Sequence, residues 1–162
     1  MYQEFNAQIE GRRIKMIIAI GSDHAGVQLK TLVAEHLKAS SVTCKDFGVN
    51  SEASVDYPDI ASAVTEAVLS QQCELGILIC GTGIGMSIAA NKRRGIRAAL
   101  CAEPYSARCA REHNDANVLT MGSRVIGPGL AADVVDAFLK AEFASGRHSR
   151  RRDKIEIIEK NQ

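Results

Sequence analysis

The segment ILICGTGIGMS, residues 77–87, decides the fold of this chain. Its apolar start predicts a buried strand, and its glycines predict a tight turn into a helix over 84–92. Cys80 would then end the strand, beside the free main-chain N–H groups at the start of that helix. Helix N-termini attract anions, and open α/β sheets bind ligands at the carboxyl ends of their strands. The segment therefore predicts an anion site that contains a cysteine, and the same field should favour the thiolate form of that cysteine.

Outward from this segment, short apolar runs alternate with amphipathic stretches. Strands are predicted at 16–21, 42–47, 75–80, 97–102 and 117–121. Helices are predicted at 25–39, 58–71, 84–92, 104–113 and 130–143. Five strands that alternate with helices predict one α/β domain, in which a parallel sheet is covered on both faces and joined by right-handed crossovers.

The composition excludes several classes of protein. The chain has 162 residues, of which 46% are hydrophobic, as expected for one globular domain. Its 20 basic and 19 acidic residues give a net charge of +1, which argues against nucleic acid or an anionic membrane as a partner. No apolar run approaches the roughly 20 residues of a membrane span. The five cysteines lack CxxC pairs and zinc-type spacing, so we expect reduced thiols, no metal site and a cytoplasmic location.

The two ends of the chain differ from its middle. Residues 1–15 are polar and include IEGR, a typical processing-protease site, so we expect a disordered extension that is an expression-vector remnant, a mis-assigned start or a native arm. The main domain is expected over 16–146. Residues 147–162 form a basic tail or helix, whose isoleucines should pack on the body of the domain or on a second subunit.

The turn after the first strand, GSDHAG, lacks the glycine pattern of a dinucleotide site and the lysine of a P-loop. It carries Asp23 and His24 instead. Asp23 is placed to cap the following helix, and we expect it to combine that role with a functional one. In the second turn, residues 81–85, three glycines around Thr82 exceed what a strand-to-helix turn needs.

Further polar groups follow later in the chain. His113 and Asn114 precede the last strand, and we expect them at the same kind of strand edge as Cys80, although a lone histidine there is more often a surface or C-capping residue. Arg124 follows the last strand. Arg147 and Arg151 are four residues apart, so on a helix they would share a face and could bind one phosphate; a solvated tail is the alternative.

Together these motifs resemble the ribose-5-phosphate isomerase B family, which also contains galactose-6-phosphate and allose-6-phosphate isomerases. The similarity begins at Met16 and is carried by SDHAG (22–26), VDYP (55–58), ICGTGIG (79–85), SIAANK (87–92), EPYS (103–106), HNDAN (113–117), GSR (122–124) and GRH (146–148). It implies a three-layer α/β/α Rossmann-like sandwich with a five-stranded parallel sheet. It also implies a cofactor-free sugar-phosphate isomerase of the pentose phosphate pathway, which works as a homodimer or a dimer of dimers with shared active sites.

The resemblance also implies roles for individual residues. Cys80 would be the base that moves a proton between C2 and C1 through a cis-enediolate, and His113 would open the sugar ring. Thr82 and Asp23 would position or relay protons among the hydroxyls. The remaining substrate contacts would come from His24, Tyr57, Gly81, Gly83, Ile84, Gly85, Asn114, Arg124, Arg147 and Arg151. A second branch of the family uses a glutamate base, and Cys80 places this chain in the cysteine branch.

Three functions remain open at this level. Ribose-5-phosphate isomerisation is the leading one, and isomerisation of allose or galactose 6-phosphate by the same residues is the second. One extra carbon in a pocket changes binding by only about 1–3 kcal/mol, so sequence separates these two poorly. A non-catalytic sugar-phosphate-binding module is the third, and the presence of Cys80, Thr82 and His113 together weakens it.

Overall fold

A computed structural model of the chain describes residues 8–9, 12–13, 16–51 and 53–161. Its strands are β1 (Gln8–Ile9), β2 (Arg12–Arg13), β3 (Ile17–Ser22), β4 (Thr43–Asp46), β5 (Leu75–Cys80), β6 (Ala98–Leu100) and β7 (Val118–Gly122). Its helices are α1 (Val27–Ala39), α2 (Tyr57–Leu69), α3 (Ile84–Ala90), α4 (Pro104–Asn114), α5 (Pro128–Lys140) and α6 (Arg147–Lys160).

Strands β3 to β7 form one parallel sheet in the order β4-β3-β5-β7-β6. Apolar residues of α1, α4 and α5 pack on one face of this sheet, and those of α2 and α3 pack on the other. Strands β5 and β7 are buried throughout, because their Ile, Leu, Val and Met side chains lie between these two helix layers. The predicted three-layer Rossmann-like fold with five parallel strands is confirmed.

Several predicted elements differ in detail, and two of these differences bear on the site. The helix expected over 25–39 begins with a 3₁₀ turn, His24–Gly26, because Asp23 accepts main-chain hydrogen bonds there. The basic segment 147–160 forms a complete helix, α6. Its side chains Ile155, Ile157 and Ile158 are exposed, so they do not pack on the body of this chain.

The predicted extension over residues 1–15 lies outside the described residues, apart from strands β1 and β2. These two strands pair antiparallel, with Gln8 opposite Arg13 and Ile9 opposite Arg12. The origin of this extension, as a vector remnant, a mis-assigned start or a native arm, stays open. Among the helices of the described ranges, none has the length and apolar character that crossing a membrane requires.

Lys30 joins the first helix to the loop that follows β4. Its side chain is 2% exposed, and its ammonium group donates to Asp46 Oδ2 at 2.6 Å, to the Val49 carbonyl at 2.7 Å and to Asn50 Oδ1 at 2.9 Å. A buried charge is tolerated only with such complete pairing. This contact positions the start of the loop that leads to Tyr57.

Candidate active site

Cys80 ends β5 at the carboxyl edge of the sheet, as predicted. The residue is 5% exposed, and its Sγ accepts a hydrogen bond from the Gly83 main-chain N–H at 3.1 Å. The Ile84 N–H donates to Thr82 Oγ1 at 3.3 Å. Two of the N–H groups predicted to face a substrate anion are therefore bound to the loop's own side chains, and one of them supports the sulfur directly.

Glycine is required at two positions around this loop. Gly83 has a φ of +78°, and a Cβ there would lie 2.5 Å from Leu100 Cδ1 and 2.8 Å from the carbonyl carbon of Met121. A Cβ on Gly122 would lie 2.6 Å from the carbonyl of Thr82. The loop thus packs main chain against main chain on β7, which holds the Gly83 N–H beneath the sulfur.

Asp23 and His24 lie beside this loop. Asp23 is buried, and its Oδ1 accepts from the N–H groups of Ala25 at 3.0 Å and Gly26 at 3.2 Å, so the predicted capping role is confirmed. His24 Nδ1 accepts from the Val55 N–H at 3.3 Å. Because Nδ1 is an acceptor here, the proton of the neutral imidazole is on Nε2.

Arg124 and Tyr57 complete the same edge. A Cβ on Gly81 would lie 3.6 Å from Arg124 Cδ and Nη1, so the guanidinium lies across the loop after β5. A cleft of about 500 Å³ beside it is lined by His24, Ser123 and Arg124 and by apolar residues that include Leu29 and Leu32. On the other side, a Cβ on Gly85 would lie 2.7 Å from Tyr57 Cζ. We call Asp23, His24, Tyr57, Cys80, residues 81–85 and Arg124 the carboxyl-edge group.

His113 and Asn114 lie elsewhere. They end α4, which returns along the sheet to the point where β7 begins. Since β7 is parallel to β5, this is the edge opposite Cys80, and a five-residue strand of about 3.3 Å per residue places the edges roughly 15 Å apart. The expected convergence of His113 and Cys80 on one edge is therefore wrong within a single chain.

His113 stacks on a histidine that sequence reasoning did not single out. The rings of His113 and His148 lie 4.3 Å apart between centroids and 4° from parallel. Burial lowers the pKa of His148, and the neighbouring His113, Arg147 and Arg151 lower it further, so its imidazole is neutral near pH 7. Its Nε2 faces Arg147 Nε at 3.4 Å. The quoted motif GRH contained this residue, but only the packing of α6 on α4 shows its partner.

Asp115 holds this second site together. Its carboxylate pairs with Arg97 at 3.1 Å, with Arg111 at 3.1 Å and with Arg152 at 3.3 Å. The guanidinium of Arg152 also lies 4.9 Å from the Phe143 ring centroid. These contacts fix the first turns of α6 beside the end of α4.

Arg147 and Arg151 are exposed at the same end of α6, one helical turn apart as predicted. We call His113, Asn114, Arg147, His148 and Arg151 the amino-edge group.

The fold and the two groups define a class of α/β protein whose sheet edges carry groups suited to a small anion and to acid–base chemistry. One group offers a sulfur supported by a main-chain donor, and the other offers paired imidazoles and arginines. The family model described as Ribose/Galactose Isomerase matches residues 18–155, and the chain belongs to that family.

Individual relatives support this assignment. Ribose-5-phosphate isomerase B of Escherichia coli (strain K12) is 51% identical over 142 residues, which cover 88% of this chain and 95% of the relative. The solved ribose-5-phosphate isomerase B of Clostridium thermocellum matches with a TM-score of 0.89 and 56% identity, over 90% of this chain and 99% of that one. The enzyme of Mycoplasma genitalium, solved with bound ribulose 5-phosphate, matches with a TM-score of 0.85 and 46% identity, over 91% and 98%. The predicted family is confirmed.

Proposed function

We propose that the chain is an aldose–ketose isomerase that interconverts D-ribose 5-phosphate and D-ribulose 5-phosphate without a cofactor. Membership of the family and the names of its close relatives support this activity. The Mycoplasma genitalium enzyme, solved with ribulose 5-phosphate, favours a pentose over a hexose phosphate. The observation that carries the proposal is the Gly83 N–H donated to the Cys80 sulfur at the ligand-binding edge of the sheet. The unpaired spacing of the five cysteines supports a cytoplasmic location as part of the proposal.

Cys80 is the proposed base. Isomerisation removes a proton from C2 of the linear aldose and returns it to C1, through a cis-enediolate. The Gly83 N–H donates to Sγ and so holds the sulfur in place. The thiolate is the form of cysteine that takes the proton. The Thr82 hydroxyl accepts from the Ile84 N–H and can donate its own hydrogen to a substrate oxygen. Asp23 uses Oδ1 as a cap and keeps Oδ2 for a sugar hydroxyl.

The amino-edge group supplies the other half of the proposed reaction. His113 opens the sugar ring, Asn114 binds the sugar, and Arg147 and Arg151 bind the phosphate. His24 and Arg124 contribute cationic or N–H donors to the phosphate from the carboxyl edge. Because the two edges are roughly 15 Å apart, one small sugar phosphate cannot contact both groups of one chain. The proposed active site therefore joins the carboxyl-edge group of one protomer to the amino-edge group of its partner.

Exposed apolar side chains support a second copy as the partner. Large apolar side chains are exposed in the carboxyl-edge group, at Ile84, and on the elements that follow its loop, at Ile88, Leu100 and Tyr105. A further exposed set, Ile155, Ile157 and Ile158, lies on α6. Clustered exposed apolar surface is typical of an interface. The proposed assembly is a homodimer or a dimer of dimers.

Two inactive variants test whether the site is shared. Cys80→Ala and His113→Ala should each lower kcat/KM by about 10²–10⁴-fold, because each removes an acid–base group. After subunits of the two variants are mixed in equal amounts, half of the dimers carry one intact site, so about a quarter of wild-type activity should return. If each site lay within one chain, the mixture would stay inactive.

Hydrogen exchange separates the two roles. Ribulose 5-phosphate is already linear, so His113→Ala should still exchange a C1 hydrogen with deuterated solvent while net isomerisation from ribose 5-phosphate falls. Cys80→Ala should lose both reactions. His36→Ala serves as a control, because His36 pairs with Asp136 between α1 and α5, in neither group. Loss of exchange in His113→Ala to the level of Cys80→Ala would contradict the ring-opening role.

A further inference from the structure

Three potential metal ligands share one face of α4 near its end. Cys109, Glu112 and His113 are spaced i, i+3 and i+4, which places them side by side on a helix. Their ligand atoms all lie within 4.8 Å of one another, and each side chain is partly buried. We propose that this trio binds a divalent cation of the zinc class and that the bound ion inhibits the isomerase through His113.

The donor set matches zinc chemistry. Zinc binds thiolate sulfur, imidazole nitrogen and carboxylate oxygen at about 2.0–2.3 Å, so tetrahedral ligand atoms lie about 3.5 Å apart. The trio reaches that spacing by small side-chain rotations, since its atoms are already within 4.8 Å. Three protein ligands leave the fourth position to water. Sulfur and imidazole donors also disfavour magnesium and calcium, which prefer oxygen.

Some groups around the trio favour the binding of a cation, and others oppose it. The carbonyl groups at the end of α4 carry partial negative charge, which favours a cation there, and His148 holds the His113 ring by stacking. Arg108 lies 3.9 Å from Glu112 and must release it, but this pair is half exposed and weak. Arg147 and Arg151 at the start of α6 oppose a cation, whereas the thiolate and carboxylate of the trio add negative charge. The sequence prediction of no metal site considered only cysteine spacing, and this trio has a single cysteine.

Inhibition follows from His113 and rests on its proposed role in ring opening. A ring nitrogen whose lone pair is bound to a metal can neither accept nor donate a proton. A site that admits a sugar phosphate also admits a hydrated ion. The ion should therefore block net isomerisation of ribose 5-phosphate and spare hydrogen exchange at C1 of ribulose 5-phosphate.

Cobalt(II) tests binding without reference to activity. The full-length Cys80→Ala protein is the background, so that Cys80 cannot act as a ligand. It should bind one Co²⁺ per chain and show thiolate-to-cobalt absorption in the near ultraviolet, with the visible bands of a four-coordinate ion. Adding Cys109→Ser should abolish these bands. Adding Cys44→Ser, which changes another partly buried free cysteine, should leave them intact. Absence of the bands in the Cys80→Ala background, or their survival after Cys109→Ser, would overturn the proposal.

Zinc inhibition tests the consequence. Zn²⁺ should inhibit the unmodified protein, and a chelator should restore activity. Cys109→Ser and Glu112→Gln should keep their basal activity and need at least about tenfold more Zn²⁺ for half-inhibition. Equal sensitivity of Cys109→Ser and the unmodified protein would overturn the inhibitory role. Absence of isomerase activity from the unmodified protein would refute the proposed function. The cobalt bands would still decide whether the metal site exists.

Discussion

The two edges of the sheet are built by different means. At the carboxyl edge, main chain packs on main chain around glycines, and N–H groups support the sulfur of Cys80 and the carboxylate of Asp23. At the amino edge, side chains hold the structure together, through the ion pairs of Asp115 and the stacked rings of His113 and His148. The comparison teaches that the first group should respond to changes in backbone shape and the second to changes in charge.

Among changes that keep the proposed acid–base groups, the largest effect is expected from a change of shape at the carboxyl edge. Gly83→Ala adds a Cβ at a positive φ, 2.5 Å from Leu100 and 2.8 Å from the backbone of Met121. The loop must shift, and a displacement of about 1 Å at reacting groups costs about 10²-fold in rate. Steady-state kcat/KM measures this loss. Gly129→Ala is the matched control, since a Cβ there meets nothing within 4 Å, and its activity should stay at the wild-type level. A fully active Gly83→Ala would mean that backbone shape does not govern this edge.

A smaller effect is expected from a change of charge at the amino edge. Arg151→Ala should raise KM by about 10- to 100-fold with a smaller change in kcat, because it removes a charge-assisted hydrogen bond to the phosphate. Arg150, the preceding residue on α6, is also exposed and serves as the matched control. Arg150→Ala should keep KM within about twofold. Equal losses in the two variants would show that only the overall positive charge of α6 matters.

Asp115→Asn should loosen the amino edge alone. Asp115 has a φ of +50°, which asparagine tolerates, so the turn survives while the charge that pairs with three arginines is lost. We expect a loss of about 1–3 kcal/mol in the local stability of α6 and a several-fold lower kcat/KM. Hydrogen exchange by mass spectrometry should show faster exchange over 147–160 and unchanged exchange over 75–85. Faster exchange in both segments would mean that the edges are coupled.

The smallest effect lies outside both groups. Partial burial acts to raise the pKa of Asp136, but hydrogen bonds from Lys140 and His36 outweigh it, so the pKa is lowered on folding. The carboxylate therefore contributes stability above its unfolded pKa of about 3.9, and this contribution is lost as the pH falls through the folded pKa. Because the group is one-third exposed, we expect less than about 1 kcal/mol.

Urea unfolding at pH 7 and at acidic pH measures that contribution. Asp136→Asn should lose stability at pH 7 and show a weaker decline in acid, with unchanged kcat. Asp133→Asn, an exposed position on the same helix, is the control and should keep the normal acid profile. An altered kcat in Asp136→Asn would contradict this prediction and show that a residue outside both groups affects the reaction.

Sequence patterns predicted the carboxyl edge well. The bounds of β5, Leu75–Cys80, are those expected, because a continuous apolar run ends at a glycine turn. Parallel strands bring their carboxyl ends to one edge of the sheet. Asp23, His24 and Cys80 each follow or end a strand, so the sequence alone places them at that edge. The edge strand β6 is shorter than its predicted 97–102, since it has one neighbouring strand and β7 alone supplies its hydrogen bonds.

The amino edge was predicted poorly for a physical reason. His113 precedes a strand, and a helix that precedes a parallel strand ends at the amino edge, opposite the carboxyl ends. That direction could have been inferred from the alternating pattern. By contrast, the stacking of His148 and the convergence of Arg97, Arg111 and Arg152 on Asp115 depend on how α6 crosses α4, which no local pattern specifies.

The buried ammonium of Lys30 has a consequence for mutational tolerance. Its ammonium group donates to three acceptors, so arginine would place its larger guanidinium there with a different geometry, and methionine would remove all three hydrogen bonds. Lys30 and the Ser22 carbonyl both hold Val49, the start of the loop that later carries the Val55 N–H bonded to His24. Acylation of that amine should therefore loosen the orientation of the His24 ring, although Lys30 does not line the cleft beside His24.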